Sequence, residues 1–381
     1  MTDTAINEIH RWRSEFPVTE RYIYLNHAAV APISRSSRDA MTSLADDVMR
    51  NGMAHITEWY KVFNAARSEA AALLRTQERN IAFAKNTSEG LGWVATGFPW
   101  REGDEIVTAR MEFPSNRFPW LHLADRGVRT VLVEDDHGTL PVEHLVDAMT
   151  SRTKILAISA VQYSSGFRSD LHLLGEACRA RNVLFVVDGI QAVGALPLFP
   201  EETGIDVLVA DAHKWILGPE GIAVAYLSDR ALDTLSVAEI GWASVMDAGN
   251  FDAQEYTLHP DAQRFEPGTP TTIALFGLHA ALMLANSVGI ETIGSRVIKL
   301  ADHVRAHAED RGWHLYGSTI ADETSEIVSF AVDADPDVLM KRAFNERVIV
   351  SSRSGRIRVS PHYYNTAAEI DDAMQLLADI L

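Results

Sequence analysis

Four residues, Asp188, Gln191, His213 and Lys214, combine side chains capable of covalent chemistry with places in the chain that would expose them. They lie in VLFVVDGIQAVG (183–194) and DVLVADAHKWILGPEG (206–221). Each segment begins as an apolar, β-branched run of strand length and breaks sharply into polar residues. A strand buried on both faces ends in charge where its carboxyl end opens onto a site, and in parallel α/β sheets ligands bind at that end. In the apolar setting HKWILGP the charged form of Lys214 would be disfavoured and its amine made nucleophilic. An acid and a lysine on one rim suit a carbonyl cofactor that forms a Schiff base with the amine and takes the acid at a ring nitrogen. Taken singly, a lysine after a strand is a solvated loop residue and Asp-Gly is a turn. It is the set of four that points to chemistry.

The elements that must hold this rim are legible on either side of it. Candidate strands are IAFAK (81–85), EIVTA (105–109), TVLVE (130–134), KILAISAV (154–161), VLFVVD (183–188), VLVAD (207–211) and IAVAYL (222–227). Helical patterns such as SDLHLLGEACRARN (169–182) fall between several of them, the signature of an α/β fold with a doubly wound, mostly parallel sheet of seven strands. Residues 35–76 read as mostly helical, broken near Asn51-Gly52. After the apolar stretch 271–290, EIVSFAVD (326–333), VIVSS (348–352) and RIRVS (356–360) alternate with helices, and TAAEIDDAMQLLADIL (366–381) opens on a Thr366–Glu369 capping box. The expected organisation is a large cofactor-binding domain over 21–289 and a smaller α+β domain made of 290–381 with 1–20.

Composition narrows the function classes. At 381 residues the chain exceeds what one core serves, and 47% apolar with 23% charged residues is ordinary for a soluble globular protein. The net charge of −18 argues against a nucleic-acid or anionic-membrane partner while leaving room for a local basic pocket. One cysteine, Cys178, excludes an internal disulfide and multi-cysteine metal sites, and fits a reducing cytoplasm. The N-terminal MTDTAINEIHRWRSEF lacks the apolar core of a secretory signal. TTIALFGLHAALMLANSVGI (271–290) is uncharged and nearly long enough to span a bilayer, but with His279 and Asn286 it reads as a buried core or subunit-interface helix. His122, His137, His172 and His259 form no ligand cluster, and no metal site is expected.

From YIYLNHAAVAP (22–32) to RIRVSPHYYNT (356–366) the chain resembles the class V aminotransferases, the branch of pyridoxal-phosphate (PLP) enzymes that includes cysteine desulfurases and isopenicillin N epimerase-like proteins. The resemblance implies the fold type I architecture of aspartate aminotransferase. It implies that Lys214 forms the Schiff base and shuttles the Cα proton, Asp188 pairs with the pyridinium nitrogen, Gln191 bonds the phenolic oxygen and His213 lies beside the phosphate. Asn86, Thr87 and Ser88, in FAKNTSEGLGWVATGF (83–98), open a helix whose free N–H groups would take that phosphate; read without the family, they are an N-cap. Phe113, in MEFPSNRFPW (111–120), takes the place of the aromatic residue that stacks on the ring, often histidine in relatives. Thr269, in RFEPGTPTT (264–272), matches the residue that reaches the partner subunit's phosphate, which implies a homodimer. Arg358 matches the arginine that grips the substrate α-carboxylate; Arg356 would share its strand face, so only the resemblance chooses between them. Asn26, His27, His55 and Tyr163 fall where the family lines its substrate pocket.

Two departures carry more about function than the matches. Where cysteine desulfurases hold a nucleophilic cysteine ahead of the carboxylate-binding arginine, this chain reads NERVIVSSRSGRIRV, and Cys178 falls in a helical segment. Persulfide-forming desulfuration is therefore not expected. Asp211 stands where many relatives have a small hydroxyl residue near the phosphate; two anions would repel, so Asp211 is expected to point away or to bond His213. The resemblance implies an enzyme that takes an α-amino acid through an external aldimine and a Cα carbanion. The favoured reading is an aminotransferase or a C–S β-lyase on a cysteine-type substrate. The alternatives are isopenicillin N epimerase-like racemisation or a decarboxylative reaction, and a PLP-fold regulator without activity.

Overall fold

The computed structural model describes residue 9 and residues 11–381; residues 1–8 and 10, the start of the segment assigned to the smaller domain, lie outside the described residues. After a short strand β1 (Ile23–Tyr24), all seven expected runs become strands: β2 (Ile81–Ala84), β3 (Glu105–Ala109), β4 (Arg129–Val133), β5 (Thr153–Ser159), β6 (Leu184–Asp188), β7 (Val207–Asp211) and β8 (Ala223–Leu227). They form one sheet in the order β2-β8-β7-β6-β5-β3-β4. Every residue of β3, β6, β7 and β8 is buried, because apolar clusters cover both faces of the sheet. The fold is the α/β architecture expected from the alternation of strands and helices.

One strand breaks the parallel pattern. β8 runs antiparallel to both β7 and β2. Parallel neighbours need a crossover of a dozen residues or more, usually a helix, whereas the link from Asp211 to Ala223 contains none and turns straight back. Lys214 sits on that return, at the carboxyl end of β7. β6 pairs in parallel with β7 through Val186–Val207 and Asp188–Val209, so the two strands finish on the same edge. Adjacent parallel strands thus deliver Asp188 and the 211–214 segment together.

The helices follow their sequence signals closely. Arg35–Asn51 ends at Gly52, whose φ of 57° stops the helix, and Ile56–Leu74 follows. Both pack on the apolar helix Thr272–Val288, which buries Leu275, Leu278, Ala281 and Leu282. No single helix among the described residues is long and apolar enough to cross a membrane.

The last third of the chain builds a second sheet from β9 (His314–Leu315), β10 (Val328–Ala331), β12 (Ser351–Arg353) and β13 (Arg356–Val359), ordered β12-β13-β10-β9 and antiparallel throughout. β11 (Val348–Ile349) pairs instead with β1. Helices Ile290–Asp310 and Ala367–Asp379 cover this sheet, and the latter opens on the expected capping box. Glu369 of that box also receives both terminal nitrogens of Arg13, at 2.8 and 2.9 Å, tying the N-terminal segment to the C-terminal helix.

Gly194 closes the turn after β6 with φ +93°, and a Cβ there would lie 2.4 Å from the Trp215 carbonyl oxygen, next to Lys214. Gly103 has a similar φ of +88° but open space around it. Gly103→Ala should therefore cost about 1 kcal/mol of backbone strain, and Gly194→Ala about 3 kcal/mol or more, since it adds a backbone collision. Urea midpoints of the two apoprotein variants measure the difference; equal midpoints would show that the Trp215 backbone yields freely.

Candidate active site

Asp188, at the end of β6, is 1% exposed and accepts a hydrogen bond from the Ile190 N–H at 3.0 Å. Burial, with Glu112 nearby, pushes its carboxyl up to about 7, against the pull of the Ile190 bond and of Lys214. Lys214 is 9% exposed. Burial draws its amine down to about 8; Asp188 opposes that shift and Arg358 adds to it. An amine with that value is largely protonated at pH 7, yet it yields the neutral nucleophile far more readily than a surface lysine.

Gln191 is oriented by its neighbours. Trp215 can only donate, and its Nε1–H reaches Gln191 Oε1 at 2.8 Å, which fixes the amide. Gln191 Nε2 then donates to the Ala28 carbonyl at 3.1 Å and keeps a second N–H. Just past the end of β7, the Ala31 N–H donates to the His213 carbonyl at 2.7 Å, so the 28–31 segment is strapped to both halves of the rim.

Asp211 does not point away from the Asn86–Ser88 turn, as expected, but faces it. Its Oδ2 accepts the Thr87 N–H at 3.1 Å, at the N-terminus of helix Thr87–Gly97, and its Oδ1 lies 3.6 Å from His213 Nδ1. The Asp211 N–H in turn reaches Thr87 Oγ1 at 3.2 Å. A carboxylate is stabilised at a helix N-terminus, which explains how this anion is accommodated there. Asn86 caps the helix through the Glu89 N–H at 2.9 Å, and Ser88 Oγ bonds Ser115 Oγ at 2.8 Å.

Arg358, on β13, crosses from the second sheet to this rim. It is 1% exposed, with Nε donating to Ser351 Oγ at 3.2 Å and Nη1 to the Tyr163 carbonyl at 2.8 Å. Nη2 is buried with no partner. Burial and the nearby Arg353 hold the guanidinium down to about 9, so it stays charged at neutral pH. Arg356, by contrast, is absent from the cleft and lies over the Tyr316 ring, 3.5 Å from its centroid.

A cleft of about 260 Å³ gathers Thr87, Phe113, Tyr163, Asp188, Gln191, Asp211, His213, Lys214 and Arg358 in its walls. Lys214 Nζ lies 5.7 Å from the Phe113 centroid, and Phe113 meets Tyr163 edge to face at 5.2 Å. Asn86 and Ser88 flank Thr87 without lining the cleft, and four further sequence candidates lie elsewhere. His27 is fully buried behind the cleft, its Nδ1 2.8 Å from the Ser360 carbonyl and its Nε2 2.6 Å from the Tyr364 hydroxyl. Burial and the neighbouring His362 put its pKa well below the usual imidazole value. Asn26 forms a backbone bridge to Ser360; its neighbours Ala28, Ala29 and Val30 line the cleft instead. His55 is exposed and bonds Asp47 at 2.7 Å. Thr269 lines a separate small cavity with Lys85 and Glu89.

Sequence reasoning missed two charged groups. Arg353 lines the cleft from the β12–β13 hairpin. Glu112 is buried and accepts from the Ser159 N–H (2.7 Å), Gln162 Nε2 (2.6 Å) and Asn116 Nδ2 (3.0 Å), beneath the loop that carries Phe113. An acid just past an apolar strand is the signal that marked Asp188, and EIVTARMEF (105–113) carries it.

A buried amine, a buried acid and a buried arginine with a free N–H, all facing one cleft, fit a carbonyl cofactor that condenses with amino acids. The comparisons with known proteins agree. The family model for aminotransferase class-V matches residues 23–372. A probable cysteine desulfurase of Methanothermobacter thermautotrophicus is 27% identical over 97% of this chain and 96% of its own length. An uncharacterized aminotransferase of Bacillus subtilis, YcbU, is 25% identical over 97% of each chain. Among solved structures, the cystine C–S lyase C-DES, in complex with its reaction product cysteine persulfide, superposes with a TM-score of 0.89 at 22% identity, over 96% of this chain and 99% of the other. The chain belongs to the class V aminotransferase family, and its cofactor is pyridoxal 5′-phosphate.

Proposed function

We propose that the enzyme acts on an α-amino acid by moving the proton at Cα, as an aminotransferase or a C–S β-lyase on a cysteine-type substrate. The observation that carries this reading is Arg358: a buried, charged guanidinium with an unpartnered Nη2 in the same cleft as Lys214. An orphaned buried donor is costly unless a ligand completes it, and a carboxylate matches the guanidinium fork. Arg358 would hold the α-carboxylate, which places the amino group and Cα toward Lys214.

Pyridoxal phosphate supplies an aldehyde that condenses with amines and a ring that takes up the electrons left at Cα. Lys214 would bind the cofactor covalently and then carry the proton. Asp188 would pair with the ring nitrogen, a cationic partner that brings its raised pKa back down. Gln191, with its free N–H, would bond the phenolic oxygen. Thr87, Ser88, Asn86 and His213 would receive the phosphate, joined by Thr269 of a second subunit in a homodimer. Phe113 would stack on the ring; having no titratable group, it leaves the Cα proton to Lys214.

The hairpin ahead of Arg358 supports a reaction without a protein persulfide. β12 and β13 pair as Ser351–Arg358 and Arg353–Arg356, closed by a tight turn at 354–355, with no cysteine and no extended loop. Cys178 is buried in helix Leu171–Ala180, and burial pushes its thiol up to about 12. A thiol held that high is a poor nucleophile. A single buried cysteine also fits a cytoplasmic enzyme.

Borohydride reduction of the holoenzyme should attach the cofactor to the peptide containing Lys214, as read by mass spectrometry; attachment elsewhere would sink the assignment. Apoprotein reconstitution should speed up as pH rises through about 8, because the neutral amine reacts, whereas an ordinary lysine titrates near 10.5. Since Asp188 raises the Lys214 pKa, Asp188→Asn should move that profile to lower pH. Arg358→Ala should lower kcat/KM for any amino-acid substrate at least about thirtyfold, ~2 kcal/mol, mainly through KM, and Arg358→Lys should recover only part of it. With an S-substituted cysteine, pyruvate and free thiol mark the lyase, while turnover that requires an added keto acid marks the aminotransferase. Release of alanine and sulfane sulfur from cysteine would overturn both.

A further inference from the structure

Outside the cleft, His303, His307 and Asp371 converge between two helices. His303 and His307 are four residues apart on helix Ile290–Asp310, so they share one face. Helix Ala367–Asp379 lies alongside and supplies Asp371. His303 Nε2 is 2.7 Å and His307 Nε2 2.8 Å from the same Asp371 Oδ1. The three ligand atoms all fall within 4.8 Å of one another. Nothing in the proposed reaction uses them.

We propose that this trio binds a divalent transition-metal ion, zinc foremost, and staples the two helices. Two imidazoles with one carboxylate are donors that suit zinc, cobalt, nickel or copper better than magnesium or calcium. A tetrahedral zinc takes such ligands at about 2.0–2.2 Å, which sets neighbouring ligand atoms about 3.3 Å apart. The two His–Asp spacings need to open by only about half an ångström, within reach of a side-chain rotation of the exposed Asp371, and the two imidazole nitrogens already lie within 4.8 Å of each other. Three protein ligands leave the fourth position to water. The −18 charge of the chain favours cations near its surface.

Arg311 gives the proposal a sharper edge. Its Nη1 donates to His307 Nδ1 at 2.8 Å, which leaves the His307 proton on Nε2, facing Asp371. Metal at Nε2 requires that proton on Nδ1, so Arg311 and the ion exclude each other at His307. Arg311 has a separate anchor through Nη2, which donates to Gln375 Oε1 at 3.1 Å, when Nη1 leaves His307. The metal site is thus gated by a competing cation. The staple also bears on the cleft: helix Ala367–Asp379 directly follows the segment in which His362 bonds the Trp215 carbonyl.

The test is calorimetric titration of the EDTA-stripped, full-length holoenzyme with zinc chloride, paired with thermal unfolding. One zinc per chain is expected, with Tm raised by about 3–5 °C at zinc a hundredfold above Kd. Both effects should vanish in His303→Ala and in His307→Ala. Cobalt should give the visible absorption of a tetrahedral site in the wild type only. Arg311→Gln should bind zinc severalfold more tightly, because it removes the competing cation. Zinc uptake that persists in the His303→Ala/His307→Ala double variant, or folded wild-type protein that takes up no zinc, overturns the site. Arg311→Gln with unchanged or weaker affinity overturns the gating.

Discussion

The structure around the cleft depends on one expensive arrangement: a lysine amine and an aspartate carboxyl buried together at the ends of neighbouring parallel strands. Burial alone drives each toward its neutral form, lowering Lys214 and raising Asp188, and their mutual attraction restrains both shifts. Such a pair persists only where the backbone around it is overdetermined. That support is visible. His362 is fixed by the Tyr363 N–H at its Nδ1 and donates from Nε2 to the Trp215 carbonyl at 3.0 Å. Trp215 fixes Gln191, Gln191 holds residue 28, and residue 31 holds His213. The chain of hydrogen bonds runs from the C-terminal segment through the lysine turn to the N-terminal segment.

The second sheet supplies what the first cannot. The large sheet ends in an acid, an amine and an aspartate at a helix N-terminus, and the guanidinium that shares their cleft comes from the other sheet. Arg358 arrives from β13, anchored on Ser351 of the adjoining strand and on the Tyr163 backbone of the large-sheet rim. Two of its nitrogens are spent on positioning and one is left over. That division lets a long, flexible side chain present a donor in a fixed direction, lowering the entropy lost when a ligand binds.

Asp211 shows how a departure from the family pattern is absorbed locally. Its carboxylate takes a helix N-terminal N–H that would otherwise face the cleft, and the hydroxyl of Thr87 bonds back to the Asp211 N–H. This reciprocal pair ties the helix Thr87–Gly97 to the end of β7. The other carboxylate oxygen stops 3.6 Å from His213 Nδ1 without a hydrogen bond, so Asp211 neither points away from the helix start nor bonds His213, the two outcomes expected of it.

What the sequence determined by itself was whatever is encoded locally. Long apolar runs broken by polar residues marked all seven strands of the large sheet. The residues just past two of those breaks were the core of the cleft, because a side chain next to a strand end cannot move far from it. Capping chemistry at Thr366 and the break at Gly52 were legible for the same reason. Tertiary structure alone decided what depends on partners distant in the chain: that β8 turns back antiparallel, that Arg358 enters the cleft while Arg356 lies over Tyr316, and that His55 bonds Asp47 instead of lining the pocket. It also decided that Glu112 and Arg353 belong to the site's surroundings. Many of these outcomes turn on hydrogen bonds to backbone atoms or on which ring a charge finds. Residue type says what a side chain can bond, and only the packed chain says what is within reach.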